Sequence, residues 1–158
     1  MLFKEFLIRP ATNHDIPSIK NVVFSSLKEY GLIPETTGKD KDLNDVELNY
    51  FSNNGFFGVV VNTKTNLIAG TFGLFSMSAD ICELRKMYLI KEVRGMGLGK
   101  FIVGTAIQIA KEKQYKKIIL ETISPLTEAI SLYKQFGFKE ITPREINKRV
   151  DQAFELEI

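Results

Sequence analysis

Seven residues, Arg94-Gly95-Met96-Gly97-Leu98-Gly99-Lys100, carry the clearest chemical signal in this chain. They stand between a run that reads as a strand and a run that reads as a helix. A helix N-terminus offers N–H groups without partners and the positive end of the helix dipole. Glycines let the backbone approach an anion closely and take up positive φ. Arg94 and Lys100 add positive charge on either side. Together these features suit a phosphate group, with a plain strand-to-helix turn as the alternative. The spacing excludes two common phosphate loops. A P-loop needs G-x-x-x-x-G-K followed by Ser or Thr, but Gly95 to Gly99 is one residue short and Phe101 follows Lys100. A dinucleotide fingerprint needs G-x-G-x-x-G near the first strand. Here the glycines fall as G-x-G-x-G and come after several strands.

Other reactive side chains are few. Cys82 is the single cysteine and His14 the single histidine. A lone cysteine beside Leu84 on a strand reads as a small buried hydrophobe, and no histidine is paired with it to make a nucleophile. His14 sits at a helix start and receives no role. Without a His/Cys cluster no metal is implied. Residues 32–47 hold Glu35, Asp40, Asp42, Asp45 and Glu47. Clustered carboxylates can attract a cationic amine, but a solvated surface loop is the favoured reading.

The elements that must position these residues follow from periodicity. Residues 6–8 read as an opening strand closed by Pro10. Thr12 or Asn13 can cap a helix in which Ile16, Ile19, Val22, Val23, Leu27 and Tyr30 recur at helical spacing up to Gly31. A loop over 32–42 precedes a short amphipathic segment around Val46 to Phe51. Strands over 56–61 and 67–75 flank a turn and make a hairpin. A strand over 81–90 leads into the glycine loop, and Phe101, Ile102, Ala106, Ile109 and Ala110 trace the helix that follows. After a strand over 117–122, Ser124 is placed to cap a helix with Pro125 in its first turn. That helix ends at Gly137, with Phe138 set for a Schellman-type contact. Strands close the chain at 153–158, with a further short one at 139–141. The strands at 81–90 and 117–122 are joined through a helix and are expected to be parallel. The class is a mixed α/β sheet with helices on its faces.

Arg94-x-x-Gly97-x-Gly99 resembles the R/Q-x-x-G-x-G/A signature of the GNAT acetyltransferases. The resemblance extends over essentially the whole chain. Cys82-Glu83-Leu84-Arg85-Lys86-Met87-Tyr88-Leu89 is similar to the strand before the loop in bacterial members, and Ala129-Ile130-x-x-Tyr133-x-x-x-Gly137-Phe138 is similar to their later helix. This implies one N-acetyltransferase domain over residues 1–158, with a mostly antiparallel central sheet, a splayed parallel strand pair and helices on both faces. It also implies acetyl-CoA as cosubstrate, its pyrophosphate held by backbone N–H groups of Arg94, Gly95, Met96, Gly97, Leu98, Gly99 and Lys100. The backbone of Met87, Tyr88 and Leu89 would hold the pantetheine arm. Glu83 stands eleven residues before Arg94, a spacing that resembles the catalytic glutamate of histone-modifying members. It is the candidate general base, with pairing to Arg85 or Lys86, or service as a structural carboxylate, as the alternative. On an ideal strand it shares a face with Met87 and Leu89, a parity that a bulge would shift. By the same resemblance Tyr133 is the candidate acid beside the CoA sulfur, against a core tyrosine on the apolar stripe of Ala129, Ile130 and Phe136. Leu126 departs from the pattern, since many members carry Asn there and its polar contact to the cofactor.

Composition bounds the class. The chain has 158 residues, 44% of them apolar, enough for one good core. A net charge of +2 lacks the basic excess of a nucleic-acid binder. No run approaches the length of a membrane span, and the N-terminus lacks a signal-peptide core. The expectation is a cytoplasmic enzyme acting on a small-molecule or peptide amine, with a homodimer as a possibility the family raises. A catalytically silent acyl-CoA-binding regulatory module is the alternative, and retention of both Glu83 and Tyr133 argues for the enzyme. A nucleotide-binding domain of another kind is disfavoured by the glycine spacing.

Overall fold

A single sheet runs through the computed structural model, which describes Met1–Ile158. Its strands are β1 (Leu2–Phe3), β2 (Phe6–Pro10), β3 (Phe56–Asn62), β4 (Ile68–Ser76), β5 (Ile81–Leu89), β6 (Lys117–Thr122), β7 (Lys139–Ile141) and β8 (Gln152–Glu157). They lie in the order β1-β2-β3-β4-β5-β6-β8-β7. All neighbours are antiparallel except β5 and β6. The helices are α1 (Ile16–Glu29), α2 (Val46–Asn49), α3 (Leu98–Glu112) and α4 (Thr127–Gln135).

Alternation along the strands feeds two separate cores. On β3, Val60 packs into the core under α3 and α4, while Phe57, Val59 and Val61 face the core under α1 and α2. The sheet therefore carries helices on both faces. The chain enters α1 through a capping box, in which Thr12 and Asp15 satisfy each other's backbone, and a short 3-10 turn at Asn13–Asp15.

The fourth helix starts later than its sequence suggests. Ser124 and Pro125 lie in a turn before it, and Leu126 holds the cap position. Ser124 is drawn away by Asp151, which accepts from its N–H and its hydroxyl at 2.7 Å each. The far end closes as expected. Gly137 takes φ +89, its N–H donates to Lys134 O, and the Phe138 N–H donates to Tyr133 O. This Schellman closure brings the Tyr133 and Phe138 rings to a centroid separation of 5.8 Å.

Two irregularities in β5 open the middle of the sheet. Parallel pairing with β6 covers only Ile81–Glu83 against Lys117–Ile119, after which the strands diverge. Along the other edge, Gly73 faces Arg85 but Thr71 faces Tyr88, so β5 carries one extra residue. Lys86 takes the strain at φ +53, and the buried Thr71 hydroxyl donates to its carbonyl at 2.7 Å. The bulge flips parity. Met87 and Leu89 join the core side with Cys82 and Leu84, while Glu83 and Arg85 share the opposite face. The ideal-strand expectation that Glu83 aligns with Met87 and Leu89 is corrected accordingly.

Candidate active site

The glycine loop folds into an array of free donors. None of the six successive N–H groups from Gly95 to Lys100 donates to a protein acceptor, and the first one engaged is Phe101, which bonds Gly97 O. Gly95 and Gly97 take φ +76 and +90, a region costly for any other residue, and Gly97 caps α3. Gly99 lies close against α4, where a Cβ would sit 3.2 Å from Leu132 Cδ2 and the leucine would have to shift slightly. Lys100 is exposed beside the loop, while Leu98 turns its side chain into the core.

Arg94 does something different from the free positive charge expected of it. Its Nε and Nη2 donate to Leu89 O at 2.9 and 2.8 Å, and its guanidinium grips Glu29 bidentately at 2.7 and 3.0 Å. The side chain braces the end of β5 against α1, with its charge matched by Glu29. The cationic character of the loop therefore rests on Lys100, on Lys4, whose Nζ donates to Met96 O at 3.1 Å, and on the helix dipole.

From this loop a cleft runs between the diverging strands. One end, about 580 Å³, is lined by Met87, Tyr88, Leu89, Gly95, Gly99 and the start of α4. The other, about 520 Å³, is lined by Glu83, Arg85, Tyr133 and Arg144 among others. Ser26, Tyr30, Met87, Tyr88 and Leu126 border both, so the two join. Ser26 Oγ is buried there without a hydrogen-bond partner. An elongated ligand with an anionic group at the loop fits these features.

Glu83 and Tyr133 both line the 520 Å³ end. Glu83 is 5% exposed, and its Oε2 accepts from Arg85 Nη2 at 2.8 Å and Arg144 Nη2 at 3.0 Å. Its Oε1 has no hydrogen bond within the protein. The Tyr133 hydroxyl meets only Met87 Sδ at 3.8 Å. Burial pushes its pKa well above the ordinary phenol value, so it stays protonated. Cys82 points into the core, and burial pushes its thiol up to about 12. His14 is exposed.

The acidic segment is the largest departure from expectation. Asp40 and Asp42 are buried rather than solvated. Asp40 receives Lys86 Nζ at 2.6 Å and Arg149 at 2.9 and 3.0 Å, and Asp42 accepts from the buried Tyr50 hydroxyl. Lys86 Nζ also lies 3.4 Å from Asp42 Oδ1 and donates to Lys39 O. Asp45 caps α2 through the Leu48 N–H. These carboxylates anchor the cleft wall and the β5 bulge to the segment before α2. No group of three or more His, Cys, Asp or Glu side chains is placed to hold a metal.

The family model described as acetyltransferase (GNAT) family matches residues 24–138. The chain belongs to the GNAT family of acetyltransferases. The Escherichia coli K12 protein described as uncharacterized N-acetyltransferase YjgM is 36% identical to this GNAT chain over 138 residues, covering 85% of this chain and 83% of that one. Among solved structures, a Staphylococcus aureus GNAT acetyltransferase superposes with a TM-score of 0.85 at 24% identity, covering 96% of this chain and 98% of that one. The Salmonella typhimurium acetyltransferase YncA, solved with acetyl-CoA, superposes with a TM-score of 0.77 at 15% identity, covering 98% and 94%. These two likenesses establish the GNAT fold. No helix is long and apolar enough to cross a membrane.

The pairing of Glu83 with Arg85 that the sequence offers is present, while Lys86 turns to Asp40 instead; sequence reading missed Arg144, Arg149 and Glu121 in the cleft wall and Asp40 behind it. Arg144 and Arg149 lie in a stretch whose sequence carries no periodicity to aim them. Lys86 was legible as a strand residue and a possible partner of Glu83, but the bulge turns it to Asp40. The glycine spacing and the two flanking motifs that hold Glu83 and Tyr133 were the local signals that marked the cleft.

Proposed function

We propose that the chain transfers the acetyl group of acetyl-CoA to a primary amine by direct attack, with Glu83 as general base and Tyr133 as the donor to the departing sulfur. The observation that carries this reading is the row of six free N–H donors at one end of a cleft whose other end holds Glu83 and Tyr133. The loop donors and the α3 dipole suit a pyrophosphate. The strand edge of β5 left bare by β6 suits an extended arm with amides of its own. Ser26 Oγ offers a further polar contact midway.

An alkyl amine is protonated near neutrality, its pKa being about 10. Glu83 Oε1 is the acceptor for the proton it must lose, directly or through a water. Tyr133 keeps its own proton over the whole physiological range. Full transfer from so weak an acid to a thiolate would run uphill, since thiols have pKa of about 8.5. Its contribution is a hydrogen bond to the leaving sulfur, strengthened as charge gathers there. Tyr133→Phe is therefore expected to lower kcat by roughly tenfold with acetyl-CoA affinity unchanged. Steady-state kinetics beside a binding titration reads both.

Calorimetric titration with acetyl-CoA tests the cradle. Gly97→Glu and Gly99→Glu place a carboxylate among the donors and are expected to weaken binding by roughly 100-fold, or about 2.7 kcal/mol. Absence of binding by the unaltered protein would overturn the reading.

A further inference from the structure

We propose that the acceptor is a zwitterion, an amine with a carboxylate on a neighbouring carbon as in a free α-amino acid, and that Arg85 and Arg144 form its carboxylate subsite. This inference rests on the acetyl-transfer reading of the same cleft and names the class of amine it takes.

The argument begins with unfilled donors. Arg85 and Arg144 approach the same Glu83 oxygen from two sides, at 2.8 and 3.0 Å. A guanidinium has five N–H donors in a rigid fork. Arg85 places one of them on an oxygen acceptor, and Arg144 places two, adding Nε to Glu121 Oε1 at 2.8 Å. The remaining protein partner within reach is Met77 Sδ, 3.9 Å from both, a weak acceptor. Two of the other cations of the wall are paired with a carboxylate, and the exposed Lys39 bonds a neutral amide oxygen. Lys86 and Arg149 are committed to Asp40, and Lys39 Nζ to Asn147 at 2.6 Å. Among the guanidiniums of the cleft, the pair beside Glu83 keeps the most spare N–H groups, since Arg149 spends three on Asp40 and Ile33 O. Arg85 is held in place by the Phe75 ring, 4.0 Å from its guanidinium carbon, so its fork is preorganised.

Charge balance narrows the ligand further. Glu83 and Glu121 offset Arg85 and Arg144, so this part of the wall is neutral overall but sharply divided by sign. A polyamine would bring its second ammonium against two guanidiniums. An alkyl amine without a second charged group would leave their free N–H groups to solvent and draw no binding from them. A zwitterion satisfies both sides, its nitrogen toward Glu83 Oε1 and its carboxylate toward the guanidinium forks.

The test uses the whole protein with a panel of free α-amino acids, their α-amides, the decarboxylated amines and spermidine, following release of the CoA thiol. Amino acids are expected to exceed their amides and amines by roughly 10- to 100-fold in kcat/KM, the range of a charge-assisted bond left unmade. Arg144→Gln should erase most of that preference and Arg144→Lys part of it, with acetyl-CoA affinity unchanged. Arg144 is half-exposed on a surface segment, so neither variant threatens folding. In parallel, calorimetry measures binding of the best amino acid to the CoA-saturated protein and to Arg144→Gln. Thiol release with equal or better use of amides or spermidine overturns the zwitterion subsite and leaves the acetyl-transfer reading intact. Amino-acid binding that depends on Arg144 without thiol release upholds the subsite and overturns the acetyl-transfer reading. Neither binding nor release overturns both.

Discussion

Replacing Asp40 by alanine is expected to destabilise the fold by about 3–5 kcal/mol, the range for a buried ion pair that loses one partner. Asp40 is fully buried and holds two cations, Lys86 and Arg149, whose side chains are themselves only 10% and 12% exposed. Removing the carboxylate leaves Arg149 without a carboxylate partner and Lys86 with only Asp42 Oδ1 at 3.4 Å, on a cleft wall where both are largely desolvated. For a chain of this size the loss corresponds to a fall in melting temperature of roughly 10 °C. Thermal and urea unfolding read the effect, and a loss below about 1 kcal/mol would show that the cluster relaxes into solvent. The same site predicts acid sensitivity. Burial raises the Asp40 pKa, but hydrogen bonds from Arg149, the Glu35 N–H and Lys86 outweigh it and bring the carboxyl down to about 2. A lowered folded-state pKa gives stability that is present above the unfolded carboxylate value of about 3.9 and is lost as pH falls toward about 2. Stability should therefore decline over that window, and less steeply in an Asp40→Asn variant.

Glu83→Gln is expected to lower kcat by roughly 10²- to 10⁴-fold, the span of a positioned general base. The glutamine keeps the shape and one acceptor oxygen, so acetyl-CoA affinity and melting temperature should move little. Glu121 remains to pair with Arg144. A large drop in melting temperature with near-normal kcat would instead mark Glu83 as the keystone of a structural ion network. Rapid-quench measurement of the first turnover separates these outcomes, because it reports the chemical step apart from product release.

Much of the architecture was legible because its signals are local. Hydrophobic period located α1, α3 and the β3–β4 hairpin, and glycine placement located the loop before α3. The end of α4 at Gly137 followed from the same kind of cue. What escaped reading depends on contacts distant in sequence. Asp40 looked like one of several solvated acids, and only the approach of Lys86 and Arg149, 46 and 109 residues away, makes it a buried anchor. The bulge at Lys86 could not be read from strand periodicity, because the clamp from Thr71 comes from the neighbouring strand. Ser124 reads as a helix cap until Asp151 claims it. For the cleft, Glu83 and Tyr133 were marked by motif, but the guanidinium pair beside Glu83 is assembled from a strand and a remote loop.

The isolation of Cys82 has a practical consequence for reporter chemistry. With its thiol buried and shifted to about 12, the reactive thiolate makes up roughly one part in ten thousand at pH 8. Colorimetric reagents that titrate liberated CoA will meet almost no competing sulfur from the folded enzyme. A cysteine engineered onto the surface, for a fluorophore or a spin label, would react alone without any need to replace the native one.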